Sequence, residues 1–91
     1  MDPILHIKDL RSFVSVYELR SFSRAADELD TVQSLISTRV HRLERFVGKR
    51  LFARLPHGIE PNEDGEVVYR HAKKLLRNLA DFEKELGRRP F

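Results

Sequence analysis

With 91 residues, 41% hydrophobic and 34% charged, the chain has room for one small domain, is too apolar for a disordered tail and, lacking cysteine, forms no disulfide or thiolate metal site. No apolar run approaches the roughly 18 residues of a membrane span and no signal-peptide pattern opens the chain, so a cytoplasmic protein without membrane contact is expected. The net charge of +3 is uneven: residues 1–30 carry −2, residues 31–57 carry +5 and residues 58–91 are balanced.

Residues 1–6 read as a loose lead-in. From Lys8 to about Leu19, Leu10, Phe13, Val14 and Tyr17 recur at helical spacing, and Asp9 stands where the helix dipole favours an acid. Ser21-Phe22-Ser23 interrupts that pattern. Ser23 suits the N-cap of a short helix, Arg24 to Leu29, whose small Ala25 and Ala26 let another helix come close. After the Asp30-Thr31 link a third helix runs from Val32 or Gln33 to about Val47, with Gly48 as its C-cap. Arg50 to Arg54 reads as a short strand, Leu55-Pro56-His57-Gly58 as a turn, and Ile59-Glu60 as a returning strand stopped by Pro61. Asn62 then caps a final helix from Glu63 to about Leu86, in which Gly65 is a weak point. Arg88 to Phe91 read as a frayed end. The expected fold class is mainly α: a three-helix core, a two-stranded hairpin and a long C-terminal helix.

The third helix has two unlike faces. At about 100° per residue, Ile36, Val40, Leu43 and Val47 fall into one apolar stripe. The opposite side carries Ser34, Ser37, Thr38, His41 and Arg45, with Gln33 at the start, and from Thr31 to Leu43 the helix holds no acid. Small hydroxyl side chains let a helix sink into a major groove. Glutamine can pair with adenine through two bonds, serine and threonine can bond several base edges, and arginines and free N–H groups at a helix start hold phosphates. A helix, a short turn and a second helix bearing such a face form the helix-turn-helix arrangement. The basic middle third is a footprint for a polyanion, with a solvated arginine-rich face as the alternative; an ordinary amphipathic core helix is the alternative for the third helix.

On the final helix Val68, Leu75 and Phe82 interleave with Ala72, Leu79 and Leu86 at heptad spacing. A helix about 36 Å long at ~1.5 Å per residue exceeds what a three-helix core can cover, which favours a homodimer seam over packing on its own domain. Histidines at 6, 41, 57 and 71 lack metal-ligand spacing, no glycine-rich phosphate loop or nucleophile elbow is present, and neither cofactor nor catalysis is expected.

Leu10-Arg11-Ser12-Phe13, Ser21-Phe22-Ser23-Arg24-Ala25-Ala26-Asp27-Glu28-Leu29, Gln33, Ser37, Leu43-Glu44, Gly48, Leu51-Phe52-Ala53-Arg54, Gly58 and Gly65 together resemble the N-terminal DNA-binding domain of LysR-type transcriptional regulators, from Leu10 to about Ala72. The resemblance implies a winged helix-turn-helix over residues 1–66, a linker and dimerisation helix over 62–87, and sequence-specific binding of double-stranded DNA. The hairpin becomes the wing, where Arg50, Arg54 and His57 meet phosphates or a minor groove. Expected DNA contacts are Ser23, Gln33, Ser34, Ser37, Thr38, Arg39, His41 and Arg42 on the helices and Arg50, Arg54 and His57 on the wing. The family usually has a hydroxyl where Val32 stands, proline or a small residue at Ser34, a basic residue at Thr38, arginine at His57 and Leu-Thr at Pro61-Asn62. Thr31 is a candidate cap one residue early. Family members normally add an effector-binding domain, which this sequence does not encode. The other reading is a stand-alone interaction module that pairs with another regulator through its long helix and binds DNA weakly. Partners beyond DNA and a second copy would be a full-length regulator or RNA polymerase.

Overall fold

The computed structural model describes residues 4–87; the end expected to fray, 88–91, lies outside them. In chain order the elements are α1 (Ile7–Leu19), α2 (Phe22–Glu28), α3 (Gln33–Val47), β1 (Phe52–Leu55), β2 (Gly58–Pro61) and α4 (Glu63–Glu85).

The first helix lies at the centre. Phe13 and Val16 on α1 are wholly buried, and each anchors a different cluster. One gathers Leu10, Phe13, Leu43, Leu51 and Ala72, joining α1 to α3 and α4. The other gathers Val16, Ala25, Ala26, Ile36 and Val40, joining α1 to α2 and α3. Phe52, on β1, packs against both and holds its ring 5.5 Å from Phe13 and 6.1 Å from Phe22. Serving several neighbours demands small residues between the large ones: Ser12 and Ser15 are buried on α1, and the Ser15 hydroxyl donates to Glu28 on α2 at 2.6 Å. The helix ends at Arg20, in the left-handed region at φ 55°, whose N–H bonds the Val16 carbonyl.

The cap of α2 is Ser21 rather than Ser23. Ser21 is extended, at φ −160° and ψ 126°, and its hydroxyl accepts from the Arg24 N–H at 3.1 Å. Starting the helix at Phe22 puts that ring against the second cluster, and Ser23 stands in the first turn with its hydroxyl 3.1 Å from that of Ser21. At the other end Asp30 adopts φ 55°, and the Thr31 N–H closes α2 on the Ala26 carbonyl. Thr31 is not the cap of α3. That position falls to Val32, which offers no side-chain bond.

Gly48, at φ 71°, ends α3 with its N–H on the Glu44 carbonyl, and the Glu44 carboxylate accepts from the Leu51 N–H at 2.9 Å. That bond directs the chain so that Leu51 is buried in the core. The hairpin therefore begins two residues later than the sequence pattern suggests. Phe52 pairs with Pro61 and Leu55 with Gly58, which makes Pro61 the last strand residue. Asn62 caps α4 as expected, accepting from the Gly65 N–H at 2.8 Å, while its amide donates to the Arg50 carbonyl. Gly65 is buried, and a Cβ there would collide with the Leu51 carbonyl oxygen. A weak point of the isolated helix is thus a requirement of its docking. Val68, Tyr69, Ala72 and Leu76 pack α4 onto the domain, and the helix then runs on, so the molecule measures 47 × 28 × 25 Å. Among the described residues no helix is long and apolar enough to cross a membrane.

Candidate nucleic-acid interface

Burying Ile36, Val40 and Leu43 turns the opposite side of α3 outward. Gln33, Ser34, Thr38, His41 and Arg45 are exposed there and Ser37 is half-buried. Thr38 returns its hydroxyl to the Ser34 carbonyl at 3.0 Å. The surface that results is short, hydroxyl-rich and free of acid, and its helix start presents N–H groups unused within the helix.

Two arginines expected in this face are engaged elsewhere. The Arg42 guanidinium makes two 2.7 Å bonds to the two carboxylate oxygens of Asp9, whose side chain is 1% exposed. That hydrogen bonding pushes the guanidinium further above its already high ordinary pKa. Arg39 is half-buried and donates to the Ser12 hydroxyl at 3.3 Å. Both lie on the flank of α3 that meets α1, and they fix how the helix sits in the domain.

The remaining cations of the middle third have no such partners. Among the described residues Arg45, Lys49, Arg50 and Arg54 form no salt bridge. A groove between the end of α3 and the approach to the wing is lined by His41, Glu44, Arg45, Gly48, Lys49 and Arg50. Arg54, exposed on β1, lines an adjoining cleft with His41, Glu44 and Arg50, and His57 is exposed at the hairpin tip. Arg45 and Lys49, which the sequence did not single out as contacts, line the groove beside Arg50. Ser23 is exposed at the first turn of α2. Among the described residues no cluster of three or more His, Asp or Glu is placed to hold a metal ion.

A family model described as "Bacterial regulatory helix-turn-helix protein, lysR family" matches residues 7–66. The chain belongs to the LysR family. That span takes in the three-helix core, the wing and the first turn of α4. Among curated relatives, the HTH-type transcriptional regulator BudR of Klebsiella aerogenes is 42% identical over 84 residues, covering 92% of this chain and 58% of that protein. CfxR of Cupriavidus necator, another HTH-type transcriptional regulator, is 37% identical over 82 residues, covering 90% of this chain and 26% of that one. The chain thus spans between about a quarter and just over half of the length of these relatives. Among solved structures, a BenM DNA-binding domain in complex with catB site 1 DNA superposes with a TM-score of 0.86 at 32% identity, covering 92% of this chain and 94% of that one. Full-length CbnR complexed with its target DNA gives 0.82 at 27% identity, covering 92% of this chain and 29% of that one. The winged helix-turn-helix followed by a long helix is therefore the LysR arrangement, with α3 as the second helix of the helix-turn-helix.

Proposed function

We propose that this chain binds double-stranded DNA sequence-specifically as the DNA-binding part of a LysR-type transcriptional regulator, and does so as a homodimer. One observation carries the reading: the hydroxyl-rich face of α3, free of acid from Gln33 to Leu43, adjoins through His41 the salt-bridge-free cations Arg45, Lys49, Arg50 and Arg54, on a fold that superposes on a BenM domain solved with DNA. Gln33 and Ser37 meet base edges, while the arginines and the N–H groups at the start of α3 meet phosphates. Dimerisation is supported by α4 and its C-cap, where Leu75, Phe82 and Leu86 are exposed. The stand-alone interaction module is not favoured, since the relatives are transcriptional regulators.

The test is selection of bound duplexes from random DNA, repeated across salt concentrations. Log affinity should fall against log salt by about 0.9 per phosphate contacted, and the selected site should bind roughly 10³-fold or more tighter than random duplex. Gln33→Ala should lower discrimination at one base pair by about 1–3 kcal/mol. Equal affinity for all duplexes at moderate salt would reject sequence-specific recognition.

A further inference from the structure

Glu44 breaks the charge pattern of its surroundings. It stands half-buried near the end of α3, in the cleft between that helix and the wing, where His41, Arg50 and Arg54 are its ionisable neighbours. Like charges repel, so a carboxylate on a surface that meets phosphates opposes binding. Its role there is not to neutralise the arginines, since among the described residues Glu44 forms no salt bridge. The carboxylate accepts instead from the backbone N–H of Leu51 at 2.9 Å. Leu51 is wholly buried and directly precedes β1. A buried N–H needs a partner, and a carboxylate is a strong one.

The base of the hairpin is held from its other end as well. The Asn62 N–H donates to the Leu51 carbonyl at 3.1 Å, and the Asn62 side-chain amide donates to the Arg50 carbonyl at 2.8 Å. Asn62 directly follows β2 and caps α4, so it ties this base to α4, while Glu44 ties it to α3. Among the described residues no other hydrogen bond joins α3 to the segment from Arg50 to Asn62. Phe52 and Ile59 pack the hairpin onto the second core cluster, and Ile59 pairs across the hairpin with Arg54. Apolar packing holds the wing close but has no direction; the bond from Glu44 has one. We propose that Glu44 is a positioning residue for DNA binding: by holding the Leu51 N–H it sets the wing against α3, so that Arg54 meets a phosphate while Gln33 and Ser37 meet base edges. This inference rests on the proposed binding of DNA through α3 and the wing.

The experiment is a double-mutant cycle on the selected duplex, with affinity read across salt concentrations. In the parent chain Arg54→Ala should lower the salt slope by about 0.9, one phosphate contact. Glu44→Ala removes the acceptor. Alone it should lower the slope by a similar amount, and adding Arg54→Ala to it should change neither slope nor affinity further. Discrimination at the base pair met by Gln33 should persist. Glu44→Gln keeps an oxygen acceptor at the same reach and loses the charge. It should keep the parent's slope and the full response to Arg54→Ala, and bind every duplex at least as tightly as the parent. Glu44→Asp keeps the charge but falls one methylene short of the Leu51 N–H, and should match Glu44→Ala. Helical circular dichroism checks the fold of each variant, and the Glu44→Asp cycle decides if Glu44→Ala loses its helical signal. A role in stability alone gives a lower thermal midpoint with a full Arg54→Ala response in every background. That result overturns the inference, as does a Glu44→Gln chain that behaves like Glu44→Ala, or loss of helical signal in both Glu44→Ala and Glu44→Asp; each leaves the DNA reading standing. If no motif is selected at any salt concentration, the DNA reading fails and this inference with it.

Discussion

Residue by residue, the basic middle third divides by partner rather than by position in the chain. Arg42 is bound to a buried carboxylate and Arg54 is free on the wing. Removing the arginine strands a buried carboxylate, a larger penalty than losing a surface contact, although the arginine itself is 38% exposed. Arg42→Ala leaves Asp9, 1% exposed, without its counter-charge, so the thermal midpoint should drop clearly and DNA affinity should fall because α3 loses its tie to α1. Arg54→Ala should leave the midpoint nearly unchanged, weaken binding to every duplex alike and flatten the salt slope by about one phosphate contact. Thermal denaturation beside a salt titration of both variants separates the two roles. Equal midpoints would show that the Asp9–Arg42 pair does not hold α3 in solution. This division could not be seen in the sequence. A helical wheel shows that Arg39 and Arg42 lie off the apolar stripe, but the identity of the neighbour on that flank, Asp9 and Ser12 of α1, depends on how the helices cross.

The elements themselves were mostly legible, because their signals are local. The Ile36, Val40, Leu43 and Val47 stripe, Gly48 and the Asn62 cap each act within a turn or two of chain, and the structure has them where the pattern places them. The misplaced boundaries are those decided by distant contacts. Ser21 and Ser23 both have cap chemistry, and the burial of Phe22 against Phe52 selects the first. The β1 start moved because Leu51 is buried in the core. Ser21→Ala should therefore cost about 1 kcal/mol of stability and Ser23→Ala only a few tenths, measured by urea denaturation. A larger loss from Ser23→Ala would reverse the cap assignment.

The join between α1 and α4 has its own signature. The Tyr69 ring stacks on Tyr17 at 3.8 Å, and its hydroxyl donates to Glu18, which also pairs with Lys73 at 3.3 Å. The hydrogen bond to Glu18, then burial, then the adjacent negative charge push the Tyr69 phenol up to about 12. Its folded value exceeds the usual value of about 10, so the stability it contributes is complete below pH ~10 and is lost as pH rises towards about 12. The ultraviolet difference between this chain and a Tyr69→Phe variant should show one phenol titrating near 12. A difference centred near 10 would mean that the bond to Glu18 is not formed and that α4 is less firmly fixed to α1.

For the molecule as a whole, the unfinished business is the far half of α4. The six-residue stripe expected as a dimer seam divides: Ala72 is 1% exposed and Val68 packs on the same cluster, so both serve the domain's own core. Leu75, Phe82 and Leu86 are 46%, 59% and 55% exposed, with Leu79 half-buried between them. Leaving such side chains in water forgoes roughly 1.5–3 kcal/mol each relative to full burial. An apolar groove beside the near half of α4, lined by Leu5, Leu10, Phe46, Val67, Val68 and Leu75 among others, adds surface of the same kind. A second copy related by a two-fold axis would cover both, because such an interface presents one patch to itself. Two recognition helices would then face one duplex, so the selected site should be an interrupted inverted repeat with half-sites near-integral helical turns apart. Leu79→Glu places a charge at the middle of the seam, outside the domain core. It should give a folded monomer that keeps its helical signal and binds a single half-site as before, yet binds the two-half-site duplex far more weakly. Sedimentation at micromolar concentration decides the point: the parent chain should run as a dimer and the variant as a monomer, and a parent chain that runs as a monomer while one copy holds the full site tightly would remove the dimer.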